Sequence, residues 1–80
     1  MIKGNAADIQ VKGLTPIKLA LIIAKNITGV RIGIYPNHLH IDIVQFNPSR
    51  YWLVKKYGQT PIYSGYETDL KNFLRKENYI

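Results

Sequence analysis

Both histidines of this 80-residue chain, and one of its five acidic residues, fall within "YPNHLHIDI", residues 35–43. In a β-strand successive side chains point to opposite faces, so residues i, i+2 and i+4 share a side. His38, His40 and Asp42 would then line one face, and Leu39, Ile41 and Ile43 the other. The apolar face needs only a core. The imidazole–imidazole–carboxylate face offers the donor types that bind zinc, whose catalytic sites take three nitrogen or oxygen ligands and keep one position for water. Calcium or magnesium would want more oxygens than this face supplies. Histidines at alternate positions also occur on solvated strand faces that bind nothing. What matters is whether the fold brings another ligand to the same place.

The flanking sequence indicates how it can. "ADIQVK", residues 7–12, alternates, with Ile9 and Val11 on one face and Asp8, Gln10 and Lys12 on the other, which reads as a strand. Thr15 followed by Pro16 starts a helix, with a hydroxyl cap and then proline at the first helical position. That helix is expected over residues 16–27. Ile17, Ala20, Leu21, Ala24 and Ile27 form its apolar stripe, widened by Leu19, Ile22 and Ile23. A helix so apolar is expected to lie centrally across a sheet.

Further strands are expected at 30–35 and at 38 to about 45. Pro36-Asn37 forms a turn or bulge between them, and "NPSR" turns after them. Residues 51–57 and 61–66 read as a hairpin turning at Gly58-Gln59. Thr68 is positioned to cap a last helix over 69–79 that turns Leu70, Phe73 and Leu74 inward. The order β-α-β-β-β-β-α with short connections predicts an α+β fold: a small, mostly antiparallel sheet, one central helix packed on it and a C-terminal helix. If the first strand pairs with the histidine strand, both apolar faces must meet the helix. The polar faces then coincide, and Asp8 comes near His40.

"KGNAADIQVKGLTP", "GIYPNHLHIDI" and Trp52 together resemble the zinc peptidases of the D-alanyl-D-alanine carboxypeptidase group, murein-cutting enzymes with the Hedgehog/DD-peptidase fold. Their signature has the form S-x-H-x-x-G-x-A-x-D, followed later by a strand bearing H-x-H or V-H-x-D. Gly4, Ala6 and Asp8 match G-x-A-x-D, so the resemblance implies that Asp8 is a zinc ligand. It implies the same for His40, matched to the later zinc histidine. His38 falls on the first histidine of H-x-H, a catalytic position beside the metal-bound water, and Asp42 matches the acid that often follows. The place of a glutamate base found in some members is Asn37, which leaves His38 as the group able to take a proton.

The likeness covers residues 1–53, and the hairpin and helix of 54–80 match nothing in the family. One position departs from the pattern. Where the family has its first zinc histidine, this chain has Met1, and a thioether is a poor zinc ligand. The expectation is therefore a single domain, 1–80. It would be a truncated or degenerate zinc-dependent murein peptidase, inactive as it stands, with zinc binding weakened and peptidoglycan peptide as its partner.

Composition leaves other readings open. Eleven Lys and Arg against five Asp and Glu give a net charge of +6, which favours anionic partners. A non-catalytic basic module for cell-wall polymer or nucleic acid is the alternative, although no helix-turn-helix, finger or aromatic RNP-type strand is present. Nucleic acid is accordingly the weaker of those two partners. A self-associating fragment, such as a homodimer, is a third reading. There are no cysteines, which excludes disulfides and thiolate zinc sites. No stretch approaches the ~20 apolar residues of a membrane span. The chain carries no export signal, so the wall location implied by the family has no counterpart in it, and the place where it works stays open.

Overall fold

A computed structural model describes residues 6–42, 49–65 and 69–80. Five strands and two helices follow in the order β1 (Ala6–Ile9), α1 (Pro16–Asn26), β2 (Arg31–Ile34), β3 (Leu39–Asp42), β4 (Arg50–Leu53), β5 (Ile62–Tyr63) and α2 (Leu70–Lys76). They form one five-stranded sheet in the order β1-β3-β2-β4-β5. Every neighbouring pair is antiparallel except β2 with β4. The fold is α+β, as the order of elements implies.

β1 and β2 run in the same direction with β3 inserted between them, so β1-α1-β2 is a split β-α-β unit. Four residues, 35–38, connect β2 to β3 through Pro36 and Asn37, with the Tyr35 amide donating to the His38 carbonyl at 3.1 Å. Proline supplies the fixed φ that such a turn needs at its first corner.

Thr15 caps α1 as expected, its hydroxyl accepting from the Lys18 amide, with Pro16 at the start of the helix. The helix ends at Asn26, and Ile27 is its C-cap residue. Ala20 is fully buried, and Ile17, Leu19, Leu21, Ile23 and Ala24 pack against the core. Ile22 is exposed because eleven residues of helix turn through three revolutions and only part of the circumference meets the sheet, and Ile27, expected in the stripe, lies past the helix end and is exposed as well.

The core lies between one sheet face and the two helices. Ile32 and Ile34, Leu39 and Ile41, and Tyr51 and Leu53 meet Ala20 of α1 and Leu70, Phe73 and Leu74 of α2. These are the alternate positions of β2, β3 and β4, so the intervening residues occupy the opposite face, which neither α1 nor α2 covers.

Several boundaries differ from the sequence expectation. β1 starts at Ala6 and ends at Ile9, and Val11 lies beyond it, exposed. β3 begins at Leu39, which leaves His38 in the turn. Residues 43–45 of that expected strand lie outside the described residues, as do Thr68 and Met1. The α2 cap falls on Asp69, whose carboxylate accepts from the amides of Lys71 and Asn72. The hairpin of 51–66 is reduced to β4 against the two residues of β5, because eight residues, 54–61, form the connection between them.

Candidate metal centre on the open face of the sheet

Register places one residue from each strand in a row across the open face. Asp8 of β1 is opposite His40 of β3, His40 is opposite Gly33 of β2, Gly33 is opposite Trp52 of β4, and Trp52 is opposite Tyr63 of β5. A second row lies one pleat away, with Ala6, Asp42, Arg31 and Arg50. Side chains directly opposite in an antiparallel pair stand about 5 Å apart at Cβ, close enough to interact. The Asp8–His40 and Arg31–Asp42 contacts arise this way, and the His40–Asp42 contact joins alternate residues of β3.

His40 Nδ1 lies 2.7 Å from Asp8 Oδ1, and its Nε2 lies 3.1 Å from Asp42 Oδ1. Arg31 donates to the other oxygen of Asp42, from Nε at 2.7 Å and from Nη2 at 2.5 Å. A continuous chain Asp8–His40–Asp42–Arg31 therefore crosses three strands. Burial along it is uneven. The Asp8 side chain is 67% exposed and His40 28%, whereas Asp42 is 9% exposed and Arg31 46%. The solvent end is free to rearrange and the Asp42 end is held.

Aromatic rings enclose this chain on one side. The Trp52 indole stands 5.5 Å from the His40 ring, centroid to centroid, and the Arg31 guanidinium lies 5.5 Å from the indole centroid. Trp52 Nε1 donates to the Tyr35 hydroxyl at 3.1 Å. The indole can lie there only because Gly33 has no side chain. A Cβ at Gly33 would overlap the six-membered ring of Trp52. A strand glycine marking close approach is the one signal in the sequence that could have located this packing. Arg31, Tyr35, His40, Trp52, Pro61 and Tyr63 together line a shallow hollow of about 260 Å³.

Of the residues singled out in the sequence, Asp8, His40 and Asp42 are brought together. His38 makes different contacts. Its ring stacks on Tyr35 at 4.4 Å and lies 6.4 Å from Tyr57, nearly parallel to both. Trp52 and Tyr51, neighbours in β4, divide between the faces. Tyr51 joins the core beside Phe73, while Trp52 is buried on the open face beside His40.

The donor atoms can be tested against zinc. Two ligands of a tetrahedral ion, each about 2.0–2.1 Å from it, stand about 3.3 Å apart. Asp8 Oδ1 and His40 Nδ1 are now at hydrogen-bond distance, 2.7 Å, so a widening of about 0.6 Å would admit the ion. The exposed Asp8 can make that move without disturbing the core. Asp42 stands at the other edge of the imidazole and so does not share the ion's position. Among the described residues no three His, Cys, Asp or Glu side chains converge on one point, and Asp8 with His40 offers two donors side by side. No helix among the described residues is long and apolar enough to cross a membrane.

In comparisons with known proteins, no family model matches the chain, and no curated protein and no solved structure matches it significantly.

Proposed function

We propose that the open face carries the zinc-binding pair of a murein peptidase-like centre of the Hedgehog/DD-peptidase type, with Asp8 and His40 as ligands. One observation carries this reading. Two residues 32 positions apart, each matched to a ligand of that family, are direct cross-strand partners with their donor atoms at 2.7 Å. The split β-α-β unit followed by β3 is the core on which those ligands would sit. Zinc held there would supply a bound water of pKa about 7 and polarise a peptide carbonyl.

The chain's own residues supply the surroundings. The hollow bounded by Trp52, Tyr63 and Pro61 opens directly beside His40 and gives an extended peptide an apolar wall with polar edges. His38, held by its stack on Tyr35, is the proposed proton carrier at the turn end of the same strand. With Met1 in the place of the family's first histidine ligand, two ligands remain and the chain binds zinc weakly.

The test is hydrolysis of a peptide ending in D-Ala-D-Ala, with zinc present. The parent chain is compared with one carrying Met1→His on a short Ser-x extension. Cleavage by the second and not the first is the expected result. Absence of cleavage and of peptide binding in both would overturn the proposal. Zinc-independent peptide or polymer binding by both would point to the basic binding module instead.

A further inference from the structure

We infer that the hollow between α1 and α2 is a binding site for an aliphatic carboxylate, whose carbon chain lies against the apolar lining while its carboxylate meets Lys25 and Lys71. The hollow is on the helix side of the sheet, away from Asp8 and His40, so the inference does not depend on the metal reading. Its volume is about 550 Å³, within the range of about 300–1,000 Å³ usual for small-molecule sites. Leu21 and Ile22 of α1, Tyr51 of β4 and Leu70 of α2 supply the apolar lining. Tyr51 and Leu70 belong to the core, whereas Ile22 is 48% exposed, a large apolar side chain that the fold itself leaves uncovered.

The charges around this lining are one-sided. α1 carries Lys18 and Lys25 and no acid, and α2 carries Lys71, Arg75 and Lys76 and no acid. Lys25 and Lys71 both line the hollow, and among the described residues neither ammonium is in an ion pair. Asp69 also lines it, but its carboxylate is turned to α2, where it accepts from the amides of Lys71 and Asn72. A lysine stem lies along apolar surface while its ammonium stays at the water edge. Such a hollow complements an apolar chain that ends in an anion, since an ionised carboxylate accepts from both ammonium groups. A neutral apolar ligand would leave the two lysines unused, and a polyanion would leave the apolar lining unused.

Calorimetric titration with decanoate, below its micelle concentration and without metal, tests the site. The expected result is one-to-one binding by the parent chain, with octanoate about tenfold weaker because two buried methylenes are lost. Lys25→Gln combined with Lys71→Gln keeps most of both stems and removes both charges. It should weaken decanoate by about two- to thirtyfold, the range for two exposed ion pairs, and leave decanol binding unchanged. Ile22→Glu sets a charge in the apolar wall and should abolish binding of decanoate. All three positions are exposed, and circular dichroism verifies that each variant remains folded.

No binding of decanoate by the folded parent would overturn the inference. So would equal affinity for octanoate and decanoate, or decanoate binding that survives the double lysine substitution unchanged. Sedimentation of the ligand-free chain checks a different occupant. A dimer that Ile22→Glu dissociates would give the hollow to a second copy and overturn the inference. Binding to phosphatidylglycerol vesicles without binding to free decanoate would make the helix side a lipid-surface contact, and would overturn it equally.

Discussion

His40 is the residue on which the site turns, and its setting depends on neighbours as small as a glycine. Each ring nitrogen faces a carboxylate, and the plane of the ring is bounded by Trp52. Gly33→Ala would drive a methyl group into that indole. Overpacking of this kind costs about 1–3 kcal/mol, and a loss in that range should appear in urea denaturation. Since Trp52 is the only tryptophan, its fluorescence should shift at the same time. An unchanged emission spectrum would mean that the indole does not lie on Gly33. Tyr35→Phe tests the other end of the indole by removing the hydroxyl that accepts from Nε1. A cost of about 1 kcal/mol is expected, the usual net worth of one hydrogen bond.

At the scale of elements, the strands position the chemistry and the helices only back them. Asp8 and His40 meet because β1 pairs with β3 in a register that puts both on the uncovered face. A slip of β1 by one residue would send Asp8 to the helix side and leave His40 without it. Periodicity made that face assignment legible in the sequence: alternation in "ADI" and "HLHID" put Ile9, Leu39 and Ile41 toward the helix, and the two polar sides had to coincide. The place of His38 was not legible. Whether a strand begins at residue 38 or 39 depends on how the Pro36-Asn37 turn closes, and alternation alone does not fix that.

The face taken by Trp52 was not legible for a related reason. Its bulk predicts burial, but burial against a glycine on the open face looks, in sequence, the same as burial under a helix. The cap of α2 was displaced by one residue because Thr68 and Asp69 are both good caps and only tertiary packing chooses between them. Asp69→Ala should therefore lower stability by about 1 kcal/mol in thermal or urea unfolding. No change on Asp69→Ala would place the cap elsewhere.

For the molecule as a whole, one small core supports everything described. It comprises alternate residues of three strands, Ala20 of α1 and three residues of α2. α2 lies outside residues 1–53, which carry the proposed site, yet Phe73 and Leu74 are buried with the core residues of the sheet. The C-terminal segment is thus part of the core that holds the candidate site in place. Phe73→Ala should cost about 3–5 kcal/mol, a large share of the 5–15 kcal/mol available to a typical domain. Circular dichroism should show the sheet and α1 melting together with α2. Loss of α2 alone, with the sheet intact, would show that the core divides.

The central claim, that Asp8 and His40 are two ligands of a metal centre whose remaining histidine position is occupied by Met1, is tested most directly by zinc calorimetry. The parent chain is compared with Met1→His on a Ser-x extension and with the same protein carrying His40→Ala. The account predicts weak binding by the parent, tight one-to-one binding by Met1→His, and loss of that binding on His40→Ala. Equal affinity in the parent and Met1→His, or binding that survives His40→Ala, would contradict it.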